Sequence, residues 1–492
     1  HLLTHVSLIS ELLTSAPGLV IIVTSRERLR LQEEWLFALD GFSYPQTDKY
    51  SGNPKKYDAV TLFEVCAQKV KHNFRITPSE IDTVIHICQL VEGTPLAIEM
   101  AAASLYTRSC QDIAEQLSSN YEILSTSMQN VQSRQRSMLA TMQHSWDLLS
   151  TEEKEAFRQL SIFLGDFAIE VAYEIVGVDH SLFTALLNKS LVRKTTDGRY
   201  VLHRLLRQFA WEKLIKDKQE LQSLEERYCD YFVRYLSTQA PKLEGKDQTL
   251  ALIEINRDID NVRKAWKLLI SLEEFSDIEQ IVDPIYRFYT IRSLFNECTE
   301  LFKHALSSLD GSNNQEILTN KILARQGVLY QRLGKYGLAN KYIEQGLVTF
   351  RCYNDTKEIV FCLVQLGNTY LKLGKYNDLE LLAEEALELA IDIEDQWGIT
   401  SSYYLSGYAA YRLGNIEKAK KYLDKSLELS RASNRPRLSL TPLNALGDIA
   451  CHQGEYTKAI QIYEECIQLS RELGDDYLAG IHFNNLGTAY HI

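Results

Sequence analysis

From about residue 310 onward a unit of 40 residues recurs, and nothing else in the sequence restricts the fold so tightly. Glycines stand at Gly327, Gly367, Gly407, Gly447 and Gly487, and a second series, Gly334, Gly374, Gly414 and Gly454, keeps the same step. Between them the text repeats as Gly327-x-x-Tyr330-x-x-Leu333-Gly334-Lys335-Tyr336, then Gly367-x-x-Tyr370-x-x-Leu373-Gly374-Lys375-Tyr376, then Gly407-x-x-Ala410-x-x-Leu413-Gly414-Asn415-Ile416. Small residues follow at Ala339, Ala419 and Ala459, with Tyr342, Tyr422 and Tyr463 nearby. The pattern predicts a helical hairpin per unit. Gly327 and its equivalents let two helices approach closely, Gly334 and its equivalents end the first helix, and the small and aromatic positions interlock.

This pattern resembles the tetratricopeptide repeat in a 40-residue form. A degenerate copy containing Phe302 and Ala305 precedes the regular ones, and Gly487 to Tyr490 opens a copy that these 492 residues do not finish. One hairpin cannot bury its own apolar face, so the copies are expected to stack into a solenoid with a concave surface for a protein or peptide ligand. The Tyr and Leu stripe is equally explained, in large part, by packing between repeats.

The chain ahead of the repeats is long enough for further cores, since single cores stop growing near about 250 to 300 residues. Acidic residues outnumber basic ones by 65 to 53, for a net charge of −12. That balance disfavours binding nucleic acid or anionic lipid across the whole surface. Nine cysteines are scattered without a C-x-x-C pair, so the plain reading is reduced thiols in the cytoplasm rather than a zinc site or disulfide framework. The longest strongly apolar run, Leu19 to Val23, is far below the roughly 18 residues of a membrane helix.

Val6 to Leu13 has helical spacing, Ala16-Pro17-Gly18 breaks it, and Leu19 to Val23 reads as a buried strand ending at Thr24-Ser25-Arg26, which is the grammar of an α/β sheet. Beyond Tyr57 the text becomes helical. Thr77-Pro78-Ser79-Glu80 and Ser150-x-x-Glu153 read as capping boxes, and in Glu92-Gly93-Thr94-Pro95 a glycine ends one helix and a proline starts the next. Strands near Leu191 to Thr195 and Tyr200 to Leu202, joined at Asp197-Gly198 and followed by a helix from Arg204, give a hairpin after helices, as in a winged helix.

The order of these segments, ending in Leu202-His203-Arg204-Leu205-Leu206-Arg207-Gln208-Phe209-Ala210, is similar to that of NB-ARC-type STAND signalling NTPases. These include the bacterial SARP- and LuxR-type transcriptional regulators that carry tetratricopeptide repeats. The resemblance implies a mostly α chain made of five parts. They are the end of an α/β P-loop NTPase domain (1–50), a helical domain (51–133), a winged-helix domain (134–217), a helical linker with degenerate repeats (218–309) and the α-solenoid (310–492). It implies ADP or ATP with Mg²⁺ as cofactor. Arg26 would then touch the terminal phosphate with Thr24 supporting it, Gly93 and Pro95 would lie along the adenine, and His203 would contact the diphosphate. A forked, permanently charged guanidinium suits phosphate. Each residue also has a plain reading: a surface arginine, a helix break, a structural histidine. Leu202 and Arg204 depart from the Met and Asp that flank this histidine in the family.

No G-x-x-x-x-G-K-[ST] occurs, and the resemblance places the phosphate loop and the Mg²⁺ ligands upstream of His1. On that reading these residues alone neither bind ATP tightly nor hydrolyse it, and the whole protein is at most a slow ATPase. The expected function is a nucleotide-regulated switch governing transcription, with self-oligomerisation on activation and DNA bound only by a domain outside this chain. Two alternatives stand beside it: a passive repeat scaffold, and DNA binding by the winged helix through Lys189, Arg193, Lys194, Arg199, Arg204 and Arg207.

Overall fold

Each regular copy folds as a pair of packed helices whose boundary is set by backbone chemistry at its glycine. The computed structural model describes residues 6–25, 28–37, 39–46, 53–119, 123–124, 137–309 and 315–491. It divides into two units, His1–Tyr228 and Cys229–Ile492. In the regular copies of the second unit, Gly334, Gly374, Gly414 and Gly454 have φ of 74°, 73°, 86° and 77°. At the first of them the amide of Lys335 donates to Tyr330 O and that of Gly334 to Gln331 O, and the other three repeat both bonds. Two otherwise orphaned helix-end carbonyls are thereby satisfied at each turn, in a left-handed conformation that costs a residue with a Cβ about 1 kcal/mol or more.

The other glycine series is spatial. A Cβ on Gly327, Gly367, Gly407 or Gly447 would stand 2.6 to 2.8 Å from a side-chain carbon of Ile343, Leu405, Leu423 or Tyr463 respectively. Ala339, Ala419 and Ala459 are fully buried at the same seams. A Cβ on Gly487 would meet nothing within 4 Å.

In chain order the first unit contains α1 (Ser7–Ser15), α2 (Asp58–Val70), α3 (Ile81–Leu90), α4 (Pro95–Ala103) and α5 (Cys110–Ser119). There follow α6 (Met138–Asp147), α7 (Thr151–Leu160), α8 (Ile169–Val176), α9 (His180–Asn188), the strands β1 (Arg193–Lys194) and β2 (Tyr200–Val201), and α10 (Arg204–Leu214). Helix α11 (Lys218–Glu244) runs across the division between units. The second unit continues with α12 (Gln248–Arg257), α13 (Ile259–Ser271), α14 (Phe275–Ile291) and α15 (Phe295–Leu309). The repeat pairs are α16 (Glu316–Arg332) with α17 (Tyr336–Tyr353), α18 (Thr356–Leu373) with α19 (Tyr376–Asp392), α20 (Gln396–Arg412) with α21 (Ile416–Ala432), and α22 (Leu440–His452) with α23 (Tyr456–Glu472). Helix α24 (Asp476–His491) carries Gly487. Phe302 and Ala305, expected in a degenerate copy, are buried on α15.

In the first unit α2 to α5 enclose one apolar cluster, with Phe63, Val84 and Ile98 fully buried. Helices α6 to α10 enclose another, in which Phe163 and Phe167 stack at 4.3 Å. The Ser150 to Glu153 capping box forms in full at the start of α7. The hairpin is antiparallel, pairing Arg193 with Val201 and Lys194 with Tyr200.

Two expectations are corrected. Leu19 to Val23 forms no buried strand: Val20 is 84% and Ile22 91% exposed, and no described strand lies beside it. Apolar, β-branched residues favour a strand, but only ladder bonds to a neighbour make one. The remnant of an α/β sheet is therefore absent from the described residues, whose only sheet is β1 with β2. The helix expected from Pro78 begins at Ile81. Glu80 does reach back, accepting from the Thr77 hydroxyl at 2.8 Å, but its own amide bonds Thr77 O, which closes a turn ahead of the helix.

Candidate functional site

Three of the five candidate cofactor residues meet in the first unit. The Glu92-Gly93-Thr94-Pro95 turn connects α3 to α4. Gly93 has φ of 66°, and a Cβ there would lie 2.1 Å from Phe42 O, so both torsion and space call for glycine. Pro95 opens α4, where its missing amide hydrogen costs nothing. Thr94, the residue before α4, does not cap it. Its hydroxyl lies 3.0 Å from Nε2 of His203, 109 residues away.

His203 in turn starts α10, and its Nδ1 accepts the Leu205 amide at 3.2 Å. With Nδ1 an acceptor, the neutral ring carries its proton on Nε2, which faces Thr94 Oγ1 and, at 3.5 Å, Glu92 Oε2. The other Glu92 oxygen accepts the Arg204 amide at 2.7 Å. Burial pushes the His203 imidazole below its ordinary pKa, Glu92 opposing and Arg193 assisting. The result is a knot in which both nitrogens of a 7%-exposed histidine are engaged, and a carboxylate sits at the first amide of a helix, where backbone N–H groups attract anions. Thr24 is exposed and has no hydrogen bond to this knot, and Arg26 lies outside the described residues.

The second unit holds a different kind of place. The start of α12 meets the end of α23: Gln248 Nε2 donates to Leu473 O at 2.7 Å and Thr249 Oγ1 to Glu472 O at 2.5 Å. Glu244 bonds Arg287 at 2.6 Å and Arg435 at 2.8 Å. Inside lies a cavity of about 710 Å³. One wall is a buried network in which Arg325 donates to Asp283 Oδ1 at 2.8 Å, forks onto Glu358, and lies 3.8 Å above the Phe361 ring. Phe361 itself stacks on Trp397. Burial alone would raise the Asp283 pKa, but Arg325 and Lys321 overcome it and hold the carboxyl well below its usual range.

Opposite chemistry lines the rest. Arg332, at the last turn of α16, has its Cζ 5.3 Å from the Tyr477 ring, and its Nε is buried without a hydrogen-bond partner. His482, 2% exposed, faces Asn444 Oδ1 with Nδ1 at 3.0 Å, while its Nε2 has no partner. Burial brings its pKa down to about 4, Asp475 opposing. Thr290 Oγ1 is likewise buried and unpartnered.

Models of the tetratricopeptide repeat match residues 363–396, 400–433 and 438–492. The second unit carries tetratricopeptide repeats. Over 485 residues, 96% of its length, the chain is 25% identical to a protein of Mycobacterium tuberculosis strain H37Rv named "Putative HTH-type transcriptional regulator", covering 49% of it. The chain thus spans about half the length of the curated relatives it matches over nearly its whole length. A crystal structure of a STAND protein with a tetratricopeptide repeat sensor from Pyrococcus horikoshii is similar at 18% identity and a TM-score of 0.42, over 88% of this chain and 63% of that one. A Rap protein complexed with competence and sporulation factor is similar at 18% identity and a TM-score of 0.38, over 54% and 85%. No helix among the described residues is long and apolar enough to cross a membrane.

The tetratricopeptide hairpins contain a second 40-residue signal that the glycine count overlooks. Asp355, Asp395 and Asp475 follow left-handed residues Asn354, Glu394 and Gly474, and each caps the next helix through its side chain. The copy between them breaks the series with Arg435-Pro436-Arg437, and both of its arginines line the cavity. The spacing of the three aspartates, and the arginine where a fourth is due, is legible in the sequence. That Thr94 and Glu92 would be the partners of His203 is not, since nothing local connects positions 109 apart.

Proposed function

We propose that this chain is the regulatory part of a STAND-class signal-transduction protein that controls transcription, with ADP or ATP read by the first unit and a protein or peptide ligand read by the repeats. The observation that carries the nucleotide half is the meeting of Gly93, Thr94 and Pro95 with His203. The residues fit an anion: the Arg204 amide and His203 already hold the Glu92 carboxylate, which stands where a phosphate oxygen would be welcome. His203 and the Gly93 to Pro95 turn would hold the nucleotide, and the nucleotide would supply phosphate charge to that knot. For that the imidazole must exchange Thr94 and Glu92 for a new partner, which ties occupancy to the packing of α10 against the α3 to α4 turn. Similarity along 96% of the chain to an HTH-type regulator by name supports the transcriptional half, and the repeats support the ligand half.

Calorimetric titration of ADP into the protein expressed from its complete reading frame tests the switch. Tight binding that weakens about tenfold or more in His203→Ala is expected. Equal affinity in the variant, or no binding, would leave a repeat scaffold with a polar knot of purely structural use.

A further inference from the structure

Charge in the cavity of the tetratricopeptide unit runs against that of the chain. Seven arginines and lysines but only four carboxylates line it, in a protein of net charge −12. Tyr286 feels four of the arginines at once, Arg287, Arg325, Arg332 and Arg437. Three of them are matched: Arg287 by Glu244, Arg325 by Asp283 and Glu358, Arg437 by Asp475 at 2.6 Å. Among the described residues Arg332 meets no carboxylate. A basic residue recurs at its place in the repeats, as Lys372, Arg412 and His452, and a cation in the last turn of a helix is favourable in itself. That effect asks only for an exposed charge. It does not explain a guanidinium nitrogen buried without an acceptor, which proteins rarely tolerate.

His482 gives an independent sign. Asn444 Oδ1 also receives Asn485 Nδ2 at 2.8 Å, so it acts as an acceptor and takes the Nδ1 proton of His482. The remaining Nε2 is a buried lone pair that calls for a donor, and Thr290 Oγ1 is a third buried polar atom without a partner on the same wall system. A ligand complementary to these three atoms brings both negative charge and hydrogen-bond donors. Inorganic phosphate or citrate brings negative charge and a hydroxyl donor but nothing apolar, whereas a peptide brings carboxylates, backbone N–H groups and side chains for the Phe361 and Trp397 wall. A volume of about 710 Å³ lies within the range of small-ligand pockets and suits a peptide of about four residues.

We propose that the cavity of the tetratricopeptide unit binds a short acidic peptide, one carboxylate of which pairs with Arg332 while an N–H of its backbone donates to His482 Nε2. This deepens the ligand half of the function proposed above and is independent of the nucleotide half. Peptide carboxylate on Arg332 also accounts for the unmatched charge, since a site kept ready for a ligand sacrifices stability in its absence.

Thermal denaturation of the whole chain, without nucleotide, tests it. The probes are tetrapeptides with two Glu and two Leu or Phe residues, the same peptides with Gln and a C-terminal amide, and citrate. The acidic peptides should raise Tm by several degrees at a hundredfold excess over Kd, and the amidated set and citrate should not. Arg332→Met should abolish the response while leaving the unliganded Tm unchanged or higher, and Arg332→Gln reads the same loss should the methionine variant fold poorly. An equal response to amidated peptides or to citrate, a full response in either variant, or no response to any acidic peptide at millimolar concentration would overturn the proposal. Because no nucleotide is present, failure here leaves the ADP titration unaffected.

Discussion

Two buried histidines, one in each unit, show what separates a knot from a receptor. His203 and His482 are 7% and 2% exposed, and burial pushes both imidazoles below their ordinary pKa. At His203 both nitrogens are engaged, one capping α10 and the other facing Thr94 and Glu92. At His482 one nitrogen is engaged and the other is bare. A ligand at the first must displace an internal partner, so binding and local rearrangement are one event. A ligand at the second can bond Nε2 without displacing a protein partner, so the surrounding helices can stay as they are.

The same contrast separates the arginines of the cavity, and the largest expected effect breaks or sharpens it there. Glu358→Ala leaves the buried Arg325 with Asp283 but without the carboxylate on its fork, and should cost about 3 kcal/mol in urea denaturation followed at the second unit. Arg332→Met removes a charge with no internal partner and should cost under about 1 kcal/mol or stabilise. Similar large losses for both would mean that Arg332 has a protein partner after all.

Acid distinguishes the histidines next. The unfolded imidazole titrates near 6.5 and folded His482 near 4, so the unfolded state binds more protons between those values. Stability is fully present above about pH 6.5 and falls as pH drops toward 4, by an amount below about 3 kcal/mol for this group. His482→Gln should flatten that part of the stability profile. An unchanged slope would place the acid sensitivity elsewhere.

The glycines give a comparison inside the repeats. Gly447→Ala presses a methyl into Tyr463 and should cost about 1 to 3 kcal/mol by denaturation. Gly487→Ala meets nothing and should stabilise α24 by about 0.5 to 1 kcal/mol. His203→Ala in the unliganded protein should cost about 0.5 to 2 kcal/mol, the range of a lost helix cap. A far greater loss would make His203 a core residue first.

The repeats were legible in the sequence because a turn that needs positive φ and a seam that excludes a Cβ each leave a glycine behind at a fixed interval. Gly334 and Gly327 are examples of each. Leu19 to Val23 was misread for the opposite reason: strand identity resides in a partner, and composition reports only burial preference. Gly93, Pro95 and His203 were singled out by resemblance, and the structure supplies their common location. Glu92 and Thr94, which hold His203, were unreadable because their pairing is tertiary. So were Arg332 and His482, whose interest lies in a missing partner, a property no sequence displays.

The account turns on the difference between the two imidazoles, and histidine-selective ¹⁵N NMR on the whole chain measures it directly. His482 is expected to show a protonated Nδ1 and a bare Nε2 whose shift moves when acidic tetrapeptide is added, while His203 shows the opposite tautomer, protonated on Nε2, and does not respond. A protonated Nε2 on His482, or a peptide response confined to His203, would contradict the assignment of knot and receptor.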